Sequence, residues 1–543
     1  MDGERKLLTE ELDAGLRALH AGAREWASLL PGRKAAVLAA CRHSTSRHAR
    51  RWAQRAAQLK GVAGTSLAGE EAITGPWAVL SHLNRYLETL AQIGRCGSPV
   101  LDERRIRSRP NGQVVVEVFP SAAYDRFLQI GLRAEVWMQP GITRDALPDT
   151  MGAWYRRPNP APRLSLVLGA GNITSIGPLD VLYKLVAEGA ACMLKVHPLF
   201  EELGPIFEDA LAPLVAGGYL RFAYGGADVG RYLCGHPEVD EIHITGGQAT
   251  YDAIAAANVT HKPITSELGN VSPAIVVPGR WSDWELRFQA EHLATAKLHN
   301  GGFNCVALQV LILPEHWGQR DAFLTEVRRV FESAPHRAGS YPGSELRCAA
   351  LSAGRVPAGP IIVQADARDA GEALFNTEAF CPLLAVVTIP SGEIGGYLRD
   401  AVAFCNDRLA GNLAANLIVD GRAMREYRRE LDDAVAALRY GCVGVNVWCG
   451  AGFLLPPLPW GAYPGNTPAH IRSGTGVVHN SRLFSSSERS VLYAPFVPPS
   501  RRLKPPWFLH HRNQDKIGMA LCELEYTKSP LALAKIGWLT LTG

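Results

Sequence analysis

Residues 164–198 read LSLVLGAGNITSIGPLDVLYKLVAEGAACMLKVHP, and this stretch decides the fold. LSLVLG is a short apolar run of the kind that forms a strand buried on both faces of a parallel sheet. GAGN is a tight turn. From Ile176 to Glu188 the apolar residues recur at helical spacing, and Gly189 stands where a helix is ended. ACMLKV is a second buried strand. The whole reads as a βαβ unit, with Lys195 at the carboxyl end of its second strand.

On the carboxyl side a second unit follows. An amphipathic helix is expected around residues 202–215, then the strand LRFAY, the turn GGADVG, a short helix RYLCGH, the strand EIHIT and a helix over 248–257. Alternating strands and helices predict a doubly wound parallel sheet, which takes its ligand at the carboxyl ends of its strands. After Pro278 helices are expected near 284–300 and 320–333, with the apolar strands VALQVLILP, GPIIVQ and LLAVVTIP, which together predict a second α/β domain. RYGCVGVNVW, the loop LPPLPWGAYPGN and a last strand, SERSVLYAPFV, come next. The tail from residue 498 is basic and proline-rich before a short helical segment, and reads as a surface extension or, alternatively, an oligomer or partner contact. On the amino side residues 5–95 carry helical spacing with a break at 61–69, and read as a packing element. QVVVEVFP and AEVWMQPG are strands, and RRPNPAP is a join.

The chain has 543 residues, enough for two or three domains, with 47% hydrophobic residues and a formal net charge of +4. The basic residues are scattered, which argues against nucleic acid. The eleven cysteines include no CxxC and no zinc-type spacing, so no metal is expected. The start, MDGERKLLTEELDAG, lacks an apolar signal core, and there is no run of eighteen apolar residues. A cytoplasmic protein with free thiols is expected.

Two stretches carry reactive chemistry. LHNGGFNCVAL, residues 298–308, sets Cys305 behind two glycines and an asparagine at the mouth of an apolar run. ITSELGNVSP, residues 264–273, holds Glu267. A thiol attacks a carbonyl carbon, and a carboxylate takes a proton from thiol or water. Taken singly each has a plainer reading: Cys305 as a small buried hydrophobe, Glu267 as a cap or ion-pair partner, and Asn172 as a turn residue tolerant of positive φ.

Taken in order, GAGNITSIGP, MLKVHP, GGADVG, IHITGG, ELGNVSP, NGGFNC, EAFCP and LPWGAYPGN resemble the NAD(P)-dependent aldehyde dehydrogenase superfamily over roughly residues 60–500. The resemblance implies an α/β fold: a doubly wound parallel cofactor sheet, an α/β catalytic domain and a small β oligomerisation element. It divides the chain into a helical part of the cofactor domain (1–130), oligomerisation strands (131–160), a Rossmann-like NAD(P)-binding domain (161–278), a catalytic domain (279–450), a return to the cofactor domain (451–485) and a last oligomerisation strand and tail (486–543). It implies Cys305 as nucleophile, Asn172 with the Cys305 backbone N–H as oxyanion donors, and Glu267 as general base for thioester hydrolysis. Lys195 matches the lysine that bonds the adenosine ribose, and Gly225 and Gly230 frame a cofactor-side turn. Thr245, Gly246 and Leu268 fall where backbone passes the pyrophosphate or nicotinamide. Glu378 and Phe380 match the pair at the nicotinamide ribose. NAD or NADP as cofactor, a small aldehyde as substrate and a homodimer or homotetramer joined by the strands 134–139 and 491–497 are further implications.

Several positions depart from the common pattern. Gly171, not Trp, precedes Asn172; ELGG reads ELGN with Asn270; Phe303-Asn304 precede the cysteine; Cys381 replaces a glycine; and Val-His-Pro follows Lys195, with Pro198 where NAD-preferring members carry an acid. The span from Cys305 to Glu378 is also short for the family. A divergent branch is expected, with NAD against NADP and the particular aldehyde left open. Two rivals stand beside hydrolytic aldehyde oxidation: a CoA-acylating dehydrogenase of the same fold, and a non-catalytic subunit. Trp448, Phe453 and Trp460 read either as an apolar substrate wall or as loop packing.

Overall fold

The computed structural model of the chain describes residues 2–258, 261–335, 337, 339–352, 359–390 and 392–543, the first seven by backbone alone. Among these residues the strands form a six-stranded sheet, a ten-stranded sheet and one two-stranded pair.

The six-stranded sheet grows from the segment quoted first. Leu164–Leu168 pairs in parallel with Ala191–Lys195 on one side and with Glu241–Gly246 on the other. Leu220–Ala223 continues the first side, and Ile264–Leu268 with antiparallel Gly474–Thr475 completes the second. The chain order therefore reverses beside Leu164–Leu168, and such a switch point opens a crevice at the strands' carboxyl ends. Helix Ile176–Ala187 crosses between the first two strands and Gly189 follows it at φ 68. A Cβ at residue 189 would lie 2.0 Å from the Trp154 ring, so glycine is required there for both reasons. The helix expected over 202–215 is three short pieces, Pro198–Leu203, Gly204–Ala210 and Ala212–Ala216, because Pro205 and Pro213 each restart it.

The ten-stranded sheet runs, by strand, Ile106–Ser108, Val114–Phe119, Arg133–Met138, Ser487–Tyr493, Cys442–Val445, Ala414–Ile418, Ser272–Val276, Leu308–Pro314, Leu383–Ile389 and Ile361–Gln364. Ser272–Val276 belongs here, so the chain leaves the nucleotide-type sheet at residues 269–271, before the expected boundary at 278. The strands expected to join subunits, Arg133–Met138 and Ser487–Tyr493, pair antiparallel with each other within one chain. Each is also paired on its other edge, to Val114–Phe119 and Cys442–Val445 respectively, so neither has a free edge for a second subunit.

The amino-terminal helices Asp2–Ser28, Pro31–Leu59 and Ala78–Cys96 pack over the six-stranded sheet, with Trp26, Trp52 and Tyr86 fully buried. The tail is not a surface extension. Helices Gln514–Thr527 and Pro530–Leu541 share a core of Ile517, Leu521, Leu524 and Ile536 with Ile73, Trp77 and Leu80. Gln514 backbone lies 2.2 Å from where a Cβ on Gly69 would stand, so the first of these helices abuts the short helix Ala68–Ala72 directly. No described helix is long and apolar enough to cross a membrane. All eleven cysteines are free thiols.

Candidate active site

The carboxyl ends of the six-stranded sheet collect the expected residues. Asn172 follows Leu164–Leu168, Lys195 ends its own strand, and Thr245 and Glu267 sit opposite each other in register near the ends of theirs. Cys305 arrives from the other sheet, on the turn between helix Asp283–Leu298 and strand Leu308–Pro314. Its Sγ donates to Glu267 Oε1 at 3.2 Å. The Asn172 side-chain amide donates to the Phe303 carbonyl at 3.1 Å, two residues before the thiol. The three residues assigned to the chemistry thus converge from a turn, a strand and a loop far apart in the chain.

The cysteine loop has an unusual backbone. Asn300, Gly301 and Gly302 all have positive φ, at 54°, 66° and 82°. A Cβ on Gly302 would lie 2.7 Å from the Cys381 carbonyl, so the loop packs backbone to backbone on the EAFCP turn. Trp448 Nε1 donates to the Val306 carbonyl at 2.9 Å from the other side. Trp448 and Trp460 are buried in the apolar cluster against which Cys305 packs, whereas Phe453 is half-buried and touches Ala170, Ile173 and Ile176 beside Asn172.

Electrostatics make the thiol and carboxyl a proton-sharing pair. Burial, then the Glu267 charge, push the Cys305 thiol well above its ordinary value. Burial, then the Asp180 charge, raise the Glu267 carboxyl to about 7, against the hydrogen bond from Cys305 and the nearby Trp460 indole. Asp180 is a residue that sequence reasoning missed. It lies fully buried on helix Ile176–Ala187, accepts from Thr245 Oγ1 at 3.0 Å and faces His243 Nε2 at 3.5 Å. The available signal was an acid inside an otherwise apolar helix.

Glu378 and Phe380 also reach the crevice. A Cβ on Gly269 would meet Glu378 Oε2 at 2.0 Å, and the Asn270 N–H donates to Oε1 at 3.4 Å, so the carboxyl rests on the ELGN turn. Its pKa is raised to about 8, chiefly by burial. Phe380, at φ 43, packs on Phe303 and Tyr341, with ring centroids 6.0 Å and 4.8 Å away. Lys195 is buried and its pKa lowered, chiefly by burial. Gly225, at φ 113, donates its N–H to Glu201 Oε1 at 2.8 Å and forms the expected turn. Gly230 does not frame that turn: it lies inside helix Ala227–Gly235. The Leu268 side chain is buried in the core, leaving only its backbone toward the crevice.

The departures from the family pattern have physical reasons. A Cβ on Gly171 would meet the His197 ring at 2.5 Å, so the imidazole of Val-His-Pro occupies the space a large residue before Asn172 would need. Asn270 Nδ2 donates to Ser272 Oγ and to the Ala414 carbonyl at 2.9 and 2.8 Å, tying the switch between sheets to strand Ala414–Ile418. Asn304 Nδ2 donates to the His299 carbonyl at 2.9 Å, and Phe303 stacks on Tyr341 at 6.0 Å. Among the described residues no group of three or more His, Cys, Asp or Glu side chains is placed to hold a metal.

A nucleotide-type sheet with a thiol and a carboxyl aimed across its switch point defines the class: a two-sheet α/β protein of dehydrogenase architecture. Residues 186–345 match the aldehyde dehydrogenase family. The match is confined to that segment, and the chain as a whole shares the fold of solved aldehyde dehydrogenases. A coniferyl aldehyde dehydrogenase from Pseudomonas sp. (strain HR199 / DSM 7063) is 31% identical over 160 residues, which is 29% of this chain and 31% of that protein. The chain thus matches about a third of the length of this curated relative. Among solved structures, a mutant of aldehyde dehydrogenase C from Pseudomonas syringae in complex with NAD+ and octanal superposes with a TM-score of 0.60 at 18% identity, covering 90% of each chain. The NADP-dependent glyceraldehyde-3-phosphate dehydrogenase from Bacillus halodurans, with NADP bound, gives 0.60 at 16% identity, covering 89% of this chain and 91% of that one.

Proposed function

We propose that the chain oxidises an aldehyde to a carboxylic acid with NAD or NADP, through a thioester on Cys305. The observation that carries this reading is the 3.2 Å hydrogen bond from the Cys305 thiol to Glu267, beside a loop that also receives the Asn172 amide.

The strand ends suit a dinucleotide. A Cβ at Gly247 would touch nothing within 4 Å, and at Gly246 only Ile244 side-chain atoms at 3.7 Å, so backbone there is open to close approach. Gly247 precedes helix Gln248–Ala257 without a side-chain cap, which leaves amide donors for a pyrophosphate. Lys195 would hold the adenosine ribose and Glu378 the nicotinamide ribose. When bound, the cofactor supplies the nicotinamide that accepts the hydride.

Cys305 attacks the aldehyde carbon as its proton passes to Glu267. The Asn172 amide turns from the Phe303 carbonyl and, with the Cys305 N–H, receives the new oxyanion. Once the carbon is oxidised, the acyl group remains on sulfur. Glu267 releases the thiol's proton to solvent, then takes one from the water that attacks the thioester; the acid leaves as the C–S bond breaks, and that proton returns to the Cys305 sulfur. The same carboxyl favours water over coenzyme A as acceptor. Adding CoA to enzyme, NAD(P) and aldehyde tests this: product forms at the same rate without CoA, and product that requires CoA would overturn hydrolysis.

Two outcomes follow here. Asn172→Ala removes one oxyanion donor and lowers kcat about a hundredfold or more, measured by nicotinamide absorbance. Lys195→Met removes a charged hydrogen-bond donor and raises the cofactor dissociation constant about tenfold, measured by fluorescence titration, with kcat at saturation little changed.

A further inference from the structure

The amino-terminal helices do more than pack. They deliver Lys60, Glu70 and Glu71 to the back of the cysteine loop, where all three are buried, at 6%, 1% and 0% exposure. Lys60 Nζ pairs with Glu71 Oε2 at 2.9 Å and donates to the Asn172 carbonyl at 2.7 Å. Glu70 Oε2 pairs with Arg337 Nη1 at 2.8 Å and accepts the Asn300 N–H at 3.0 Å. Asn300 closes the arrangement: its Nδ2 donates to the Asn172 carbonyl at 3.0 Å and to the Phe303 carbonyl at 3.1 Å. The Phe303 carbonyl is the same atom that receives the Asn172 amide.

Resting on the proposed thioester chemistry, we infer that the ion pairs Lys60–Glu71 and Glu70–Arg337 are positioning devices that fix the oxyanion asparagine, Asn172, against the nucleophile loop through Asn300. Each pair grips one side of the reacting geometry. Lys60–Glu71 holds the turn that carries Asn172. Glu70–Arg337 holds the Asn300 amide at the head of the left-handed run that aims Cys305. Gly301 and Gly302 adopt positive φ freely, but Asn300 at the head of the run carries a Cβ and is held there by outside hydrogen bonds. Charged partners suit the task because each buried carboxylate lies at ion-pair distance from one cation, and a shift of the loop would strand a buried charge. Burial alone would push the Glu70 carboxyl up. Arg337 and His299 beside it more than offset this and hold it below its ordinary value, so the grip persists across the working pH range. None of these charged groups touches the thiol, the carboxyl of Glu267 or the nucleotide crevice in the structure; they act through Asn300 and Asn172.

The test compares wild type with Glu70→Gln/Arg337→Met, which removes both charges together and leaves none unpaired, and with Arg337→Lys, which keeps the pair. Three quantities are read: kcat against KM, the NAD(P) dissociation constant, and hydrogen–deuterium exchange in the peptide covering residues 298–308. The double variant loses about tenfold or more in kcat, since misplacement by an ångström suffices for that. Its cofactor affinity stays within about twofold, and the loop peptide exchanges faster. Arg337→Lys recovers most of kcat. Wild-type kcat in the double variant, or faster exchange with kcat unchanged, would reduce the pairs to packing and overturn the inference. An Arg337→Lys variant as impaired as the double would do the same. Were wild type to oxidise no aldehyde, the functional proposal would fail separately. In that event an unaltered loop exchange rate in the double variant would overturn the anchoring as well, and faster exchange would uphold it.

Discussion

Cys305→Ala is expected to abolish aldehyde oxidation, with a loss of at least about four orders of magnitude in kcat, while NAD(P) binds as in wild type. The loss is large because no other group replaces the sulfur. Ten of the eleven cysteines lie elsewhere, and of these all but the exposed Cys96 are buried. Cys305 alone is hydrogen-bonded to a carboxyl at the sheet's switch point. Cofactor affinity is unaffected because Lys195, Gly246 and Gly247 lie on the opposite sheet. Steady-state absorbance and a cofactor titration on the same sample read both quantities; turnover retained within tenfold would exclude this thiol as nucleophile.

Glu267→Gln carries the second large effect. Glutamine takes a proton from neither thiol nor water: the thiol can still lose its proton to solvent, but deacylation has no other base and slows by about two to four orders of magnitude, so a burst of one reduced nicotinamide per site, slower than in wild type, precedes a nearly flat steady state. The pH dependence follows from the same group. Its carboxyl has a pKa of about 7 and is the base only when ionised, so wild-type kcat rises with pH through about 7 and levels off above it. The glutamine variant loses that rise.

Stability moves the opposite way. The folded-state pKa of Glu267 lies above its ordinary 4.5, so between 4.5 and about 7 the native state holds a proton that the unfolded chain releases. Its protonation therefore stabilises the fold at low pH, and this is lost as pH rises through 7. The full difference amounts to about 3 kcal/mol. Glu267→Gln should accordingly gain melting temperature over wild type at pH 8 and little at pH 5. An equal effect at both pH values would mean the carboxyl is not held protonated by burial.

What the sequence makes legible is what short-range pattern encodes. Leu164–Lys195 declares its strand, helix and strand because each has its own period and Gly189 ends the helix. Cys305, Glu267 and Asn172 are legible because turns and strand ends carry them in recognisable order. The groups that tune them are not. Asp180 looks like one acid in a helix until the sheet brings Thr245 and His243 against it. Lys60, Glu70 and Glu71 look like ordinary charges on helices, and only the fold shows that they are buried behind residue 300. Gly171 and His197 constrain each other across a distance no period reports. The tail misleads for a related reason: proline and basic residues near 498–506 mask a helix whose apolar face is matched by Ile73 and Leu80 at the far end of the chain. Strand pairing between sheets is equally nonlocal, which is why the crossing at 269–271 and the cis pairing of Arg133–Met138 with Ser487–Tyr493 emerge only in three dimensions.

The central claim is a bond between one sulfur and the substrate's carbonyl carbon. It is tested most directly by mixing the Glu267→Gln variant with NAD(P) and an aldehyde, quenching in acid, and locating the modification by peptide mass spectrometry. The account predicts an adduct on Cys305 alone, with the mass of the aldehyde less two hydrogens. An unmodified Cys305 in a sample that has reduced its nicotinamide, or the adduct on another residue, would contradict it.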